Sequence, residues 1–324
     1  MVENPFYCPH IYKNLYVENQ PGSNAKISAC CINDTSKIKS VVNFENDEYL
    51  NDQRQRMQQG QQIKECSKCW NNEKHGTFSL RRDALRNAYA TSNPYQVELL
   101  GIDYNVSPIC NAKCVMCSSY FSSAWAAEDR KFNDLKVNRP FGQTVQNKTV
   151  LDLDFSRIQK LYFNGGEPFL SDEMYEILLT TKKTQGNLNR VRISLNTNGS
   201  IWPDDKILSL FQDAQHLTIN VSIDAVGSAF EYVRNPLSWS AVEQNLHRFA
   251  TQCLVKNNRS YNVTIACTVG IHNVFEIQAL KQWYNSAKQA LPWLGHLVAQ
   301  PAYGAFSFDC VSGELNQTVD GYLG

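Results

Sequence analysis

The chain of 324 residues has no excess charge of either sign: 31 Lys and Arg stand against 31 Asp and Glu, a formal charge of +0. A neutral chain exerts no general pull on polyanions, so neither nucleic acid nor an anionic membrane surface is an expected partner. It also has no apolar run approaching the ~18 residues that span a bilayer. The start, MVENPFYCPH, lacks the basic-then-apolar order of a secretory leader. A soluble, cytoplasmic protein is therefore expected. No G-x-G-x-x-G follows a strand pattern, which argues against a nicotinamide dehydrogenase. The histidines form no i, i+4 pair, and no internal repeat is visible. Core-forming residues are not scarce: at 43% hydrophobic and 19% charged, the chain can bury enough apolar surface to offset its ordering. At ~150 residues per domain, the length allows two domains or one large α/β barrel.

What the chain has in quantity is cysteine, 11 in all. In a reducing compartment, grouped thiols more often bind metal than form disulfides. Eight lie in the first 117 residues: Cys8, Cys30, Cys31, Cys66, Cys69, Cys110, Cys114 and Cys117. Cys253, Cys267 and Cys310 are scattered, and Cys267 reads as a small core residue in a strand. The asymmetry places the expected metal sites in the front third.

From about residue 94 onward, β-branched runs alternate with amphipathic stretches, the pattern of βα units on a parallel sheet. Six strands are expected, at 97–107, 158–164, 191–198, 217–224, 261–269 and 296–303. A helix capped by Ser171, with Met174, Ile177 and Leu178 on one face, lies between the second and third. Further helices are expected at 204–213, 238–253 and 274–290. Six parallel strands form either an open doubly wound sheet or an incomplete barrel. Residues 1–90 read as a separate small cysteine-rich α+β domain, with two strands around a Pro-Gly turn and a helix ended by Gly60. Its polar composition offers little core, so a metal centre would supply stability. Residues 91–305 carry the repeating pattern, and 306–324 form a tail or the start of a further segment.

In SPICNAKCVMCSSY, Cys110, Cys114 and Cys117 follow the first strand of the repeating region with C-x3-C-x2-C spacing. Structural zinc takes four protein ligands, whereas a 4Fe-4S cluster on three cysteines leaves one iron open. At the end of the next strand stands Asn164-Gly165-Gly166-Glu167-Pro168. The two motifs together resemble the radical S-adenosylmethionine (radical SAM) superfamily. That resemblance implies a partial (β/α)6 TIM-like barrel, a SAM-binding 4Fe-4S cluster on the three cysteines, and SAM as the co-substrate. It also implies chemistry at the carboxyl ends of the strands. The cluster would reductively cleave SAM to a 5'-deoxyadenosyl radical that abstracts hydrogen from a peptide or small molecule, in an oxidation, crosslinking or dehydrogenation. A donor such as flavodoxin or ferredoxin would supply the electron.

The resemblance also implies roles for other residues. Asn164 through Pro168 would meet the SAM amino group, with Glu167 as a charged acceptor. Asn198, in the T-N-G turn after strand three, would pack near the ribose. Ser222 and Arg234 would bind the ribose and the carboxylate, and Asp224 would contact ribose hydroxyls or cap the next segment. Met116 stands where the family often has an aromatic residue over adenine, and its thioether can cover that ring.

In the front region, Cys8, Cys30 or Cys31, and Cys66 with Cys69 resemble a twitch domain, a shortened SPASM-type module with an auxiliary 4Fe-4S cluster. In relatives that module follows the barrel; here it precedes it. The same four thiolates suit a structural zinc equally. Adjacent residues of a strand face opposite ways, so one of Cys30 and Cys31 is expected to ligate, and Cys30 is the expected one. Two alternatives are an activase that makes a glycyl radical on a partner protein and a non-catalytic SAM-binding protein.

Overall fold

The computed structural model describes residues 4–19, 25–33, 44–87, 89–132, 148–214, 216–249, 260–291, 294–302 and 306. Cys253, Cys310 and the tail beyond 306 lie outside the described residues.

Six parallel strands follow the repeating pattern: β3 (Gly101–Asn105), β4 (Lys160–Asn164), β5 (Arg192–Thr197), β6 (His216–Ser222), β7 (Ser260–Val269) and β8 (Leu294–Pro301). They lie side by side in chain order. The helices between them are α5 (Ser123–Phe132), α6 (Asp172–Gln185), α7 (Asp205–Asp213), α8 (Gly227–Val233), α9 (Trp239–Arg248) and α10 (Ile277–Ala290). This is a mixed α/β fold on a parallel sheet, consistent with a partial radical SAM barrel.

Strict alternation along β4, β5 and β6 gives the sheet two unlike faces, as a period of two requires. Leu161, Phe163, Ile193, Leu195, Leu217, Ile219 and Val221 are fully buried and join one core with Met174, Ile177 and Leu178 of α6 and with Ile207, Leu210 and Phe211 of α7. Residues of the other parity are half-buried and mostly polar. Helix α6 begins as the sequence suggests: the Ser171 side chain accepts from the Glu173 amide at 3.3 Å.

The front third departs from expectation. After α1 (Pro9–Lys13), strand β1 (Asn14–Glu18) pairs antiparallel with β2 (Lys26–Ser28), as the turn signal suggests. However, β1 also pairs in parallel with β3, so both front strands extend the barrel sheet rather than forming one of their own. Helices α2 (Glu48–Gln58), α3 (Ser67–Lys74) and α4 (Leu80–Arg86) complete the region. Its core is not poor: Ile11, Tyr12, Leu15, Val17, Leu50, Met57 and Ile63 are buried in the same continuous core as the barrel. Composition hid this because few apolar residues, spaced on inward faces, suffice when a neighbouring sheet supplies the rest.

A second departure joins the two regions. Residues 97–100 are not strand, because the Glu98 and Leu100 amides donate to the Tyr12 and Lys13 carbonyls at the end of α1, at 3.1 and 2.9 Å. Lys13 is fully buried there. Its Nζ donates to Glu98 Oε1 and Gln96 O, each at 2.6 Å, and to Asn93 O at 3.0 Å. Arg157 also pairs with Glu98.

Candidate functional site

The cysteine triplet occupies the loop between β3 and α5. The loop is tied down by backbone and side chains from both directions. The Cys110 amide donates to Ser123 Oγ at 3.1 Å, and Trp125 Nε1 donates to the Cys114 carbonyl at 2.8 Å. The Val115 amide donates to Val233 O at 2.8 Å, which brings the segment after β6 against the loop. Cys110 and Cys117 are half-buried and Cys114 is buried. Burial pushes all three thiols up, Cys117 to about 11, and the charge of Cys114 would raise both neighbours further. Such thiols become ligands only with positive charge nearby.

Arg234 supplies part of that charge. The side chain is buried, its Nη1 lies 3.6 Å from Cys114 Sγ, and its Nη2 lies 2.7 Å from Asp224 Oδ2. Arg234 is therefore held by Asp224 against a cysteine rather than standing free at the pocket edge. Asp224 is 0% exposed and its Oδ1 accepts from the Thr268 amide at 2.7 Å, so it does not present its carboxylate to a ribose. Ser222 ends β6, half-buried on the polar face.

The Gly165-Gly166 pair is shaped by this loop. Gly165 has φ +126°, and a Cβ there would sit 2.7 Å from Val106 O. At Gly166 a Cβ would sit 2.3 Å from Ile109 O, immediately before Cys110. The Glu167 amide donates to that same Ile109 carbonyl at 2.8 Å. The Glu167 side chain turns away from any ligand-facing surface: it is fully buried and accepts from Asn198 N at 2.7 Å, Thr197 Oγ1 at 2.8 Å and Phe169 N at 3.3 Å. Burial raises its carboxyl to about 7 despite those donors. The expected charged acceptor is thus a brace joining the ends of β4 and β5. Pro168 is buried at the start of the short helical turn that follows.

Asn198 is carried by this brace. Its Nδ2 donates to Asn111 Oδ1 at 2.9 Å and approaches Cys110 Sγ at 4.0 Å, while its Oδ1 accepts from Ser200 Oγ at 2.6 Å. Asn111, Thr197 and Ser200 were not legible as site residues; their only signal was adjacency to the motifs. Met116 is half-buried against the core, and Asn164 lies half-buried on the polar face of β4. Asn198, just past β5, and Arg234, just past α8, thus converge on the triplet. Glu167 and Asp224 act behind them.

In the front region, Cys8, Cys30, Cys66 and Cys69 are all buried, at 5%, 7%, 6% and 5% exposure. Burial is the main cause that raises each thiol, and every pair among the four lies close enough for one thiolate to oppose another. Cys31 is exposed. Asn33 Nδ2 lies 3.8 Å from Cys66 Sγ. Among the described residues no three His, Cys, Asp or Glu side chains close on a point that could hold a single metal ion. A tetrahedral zinc needs that convergence, with each sulfur about 2.3 Å from the ion. Cys267 is buried in β7, as a core residue would be.

Residues 104–253 of the chain match the family model described as Radical SAM superfamily. Among curated proteins, it is 26% identical over 172 residues to a probable GTP 3',8-cyclase of Methanococcus aeolicus, a match covering 50% of this chain and 52% of that protein. It is 28% identical over 118 residues to the GTP 3',8-cyclase of Corynebacterium glutamicum, covering 36% and 29% respectively. The matched segments thus span about half or less of the relatives' lengths. Among solved structures, native anSMEcpe with bound AdoMet matches with a TM-score of 0.42 at 19% identity, covering 63% of this chain and 51% of that one. Streptococcus suis SuiB bound to precursor peptide SuiA matches with a TM-score of 0.42 at 12% identity, covering 80% and 58%. No helix among the described residues is long and apolar enough to cross a membrane.

Proposed function

We propose that this protein is a radical SAM oxidoreductase with two clusters: a SAM-binding 4Fe-4S cluster on Cys110, Cys114 and Cys117, and an auxiliary one on Cys8, Cys30, Cys66 and Cys69. The observation that carries the reading is the convergence of Asn198, just past β5, and Arg234, just past α8, on two thiols of the β3 loop. When bound, the cluster and SAM supply a 5'-deoxyadenosyl radical that abstracts a substrate hydrogen. The chain's own residues prepare the place. Gly165 and Gly166 let the β4 turn press against the cysteine loop, leaving their backbone, rather than the Glu167 carboxylate, to meet the amino group of SAM. Arg234 offsets thiolate charge at Cys114, and its buried Nε has no hydrogen-bond partner of its own, so a SAM carboxylate would complete it. Asn198 spans Asn111 and Cys110 and holds the turn beside the ribose. Cys8, Cys30, Cys66 and Cys69 would hold an auxiliary cluster out of reach of a substrate, where it would supply electron transfer rather than binding. Flavodoxin or ferredoxin is the expected donor to the system.

A second reading is favoured by the relatives' names: hydrogen abstraction from a nucleotide, leading to cyclisation. Both readings share the first test. Protein prepared without oxygen is expected to hold about eight irons per chain, falling to about four when Cys110, Cys114 and Cys117 are replaced by Ala. With SAM and dithionite, the wild type is expected to form 5'-deoxyadenosine. Absence of iron after careful reconstitution sinks the proposal, and about four irons falling to none, with a zinc retained, removes the auxiliary cluster from it.

A further inference from the structure

Four neighbouring strands carry an asparagine at one level of the polar face. The pairing sets Asn105 of β3 opposite Asn164 of β4, and Asn196 of β5 opposite Asn220 of β6. The Phe163 to Leu195 register places Asn164 beside Asn196. Glu18 of β1 extends the row at one end and Thr264 of β7 at the other. Asparagine is depleted in strands, and these four sit on the face opposite the apolar core, so packing does not account for them.

Hydrogen bonds join the row on either side of the Asn105–Asn164 step. Asn220 Nδ2 donates to Asn196 Oδ1 at 2.9 Å, and Asn196 Nδ2 donates to Asn164 Oδ1 at 3.3 Å and to the Tyr162 hydroxyl at 2.7 Å. Asn105 Nδ2 donates to the Tyr16 hydroxyl at 3.0 Å, while Glu18 accepts from Tyr16 at 2.7 Å and from Tyr120, three residues past Cys117. Asn105 is buried and its Oδ1 has no partner. A buried acceptor left open is a cost that a ligand donor would recover. The row also abuts the cysteine site, since Asn164 precedes Gly165 and Asn196 lies two residues before Asn198.

Charge on this face is arranged with equal consequence. Lys160 and Arg192 stand four residues earlier on β4 and β5, about 13 Å toward the opposite end of the strands at ~3.3 Å per residue. Arg234 is held by Asp224. Among the described residues the row itself carries one carboxylate and no cation. A triphosphate there would meet carboxamides and a negative charge, without the Arg or Lys fork that phosphate recognition uses. A carboxamide offers both a donor and an acceptor, as does a peptide group.

We propose that the asparagine row is the specificity surface of this site, taking an uncharged, amide-bearing chain and turning away polyphosphates. The inference rests on the radical SAM reading for the chemistry above the row, but its binding test stands apart from it. Iron-loaded protein with SAM is mixed with a synthetic library of short neutral peptides, and retained peptides are identified by affinity-selection mass spectrometry; GTP binding is measured by equilibrium dialysis. Peptides are expected to be retained and GTP not. The retained peptides should bind Asn196→Ala at least about tenfold more weakly, with the cluster absorbance checking that the variant has folded. If that variant does not fold, Asn220→Ser decides on the same readout. Retention of no peptide, undiminished retention in a folded variant, or binding of GTP in preference to peptides overturns the proposal. Formation of 5'-deoxyadenosine by the wild type without peptide reports on the radical reading alone, so the two can fail separately.

Discussion

The two cysteine sets of this chain are built on opposite plans. The triplet comes from eight consecutive residues on one loop, two of its thiols half-buried, and owes its setting to side chains sent from the ends of β5 and α8. The quartet is gathered from α1, the turn after β2, and the start of α3, with all four thiols buried. A local loop presents ligands while keeping a side open, as binding a co-substrate demands. A gathered, buried set offers nothing for a substrate to reach. Sequence spacing thus separates a partly open set from a closed one.

The sharpest way to break this contrast is to damage one plan only. Gly166→Ala forces a methyl group against Ile109 O and the backbone before Cys110, at an expected cost of about 1–3 kcal/mol in local strain. The larger effect should be loss of roughly half the iron and all 5'-deoxyadenosine formation, with the front irons retained; iron and sulfide analysis checks it. Loss of iron from both sets would mean that they do not assemble independently.

Lys13→Met attacks the link between the two regions. It leaves Glu98 buried with only the more exposed Arg157 as a charged partner, and breaking a buried pair by removing one member costs about 3–5 kcal/mol. Urea denaturation should show a loss near the lower end of that range, and an unchanged midpoint would refute the anchoring role.

Glu167 gives a pH signature confined to the barrel site. Its folded value of about 7 lies above the ordinary 4.5, so the folded state holds the proton more tightly, and its contribution is fully present below pH 4.5 and lost as pH rises to 7. That loss amounts to about 3 kcal/mol at most. Glu167→Gln should flatten the fall in stability between pH 5 and 8, and denaturation midpoints at those two values measure it.

Arg234→Gln should lower the midpoint potential of the triplet's cluster, because removing a cation disfavours the reduced, more negative state. The front cluster should not move, and an electron paramagnetic resonance titration distinguishes them. The smallest effect is expected at adjacent residues: Cys30→Ala should cost the front irons, whereas exposed Cys31→Ala should cost none.

Much of the fold was legible because β-branched runs and helix caps are local. All six barrel strands appear near their expected places, and Ser171 caps its helix. What escaped was set by distant partners. Nothing near Asn14–Glu18 announces a parallel pairing with Gly101–Asn105, and nothing near Glu98 announces Lys13. The Glu167 carboxylate is turned inward by Thr197 and Asn198, which only the fold brings near. The asparagine row did leave a trace, a polar residue of low strand propensity recurring at the carboxyl ends of four strands. Its meaning required the register.

The pairing of β1 with β3 also sets a timetable for synthesis. Asn14 leaves the ribosome 87 positions ahead of its register partner Gly101 (101 less 14). At ~5–20 residues per second the front strand spends roughly 4–17 s without its neighbour. Cys8 precedes that interval, and Cys30, Cys31, Cys66 and Cys69 follow one after another within it. The thiols thus stand beside an unpaired edge before the barrel exists, and a chaperone that shields this edge would protect them with it.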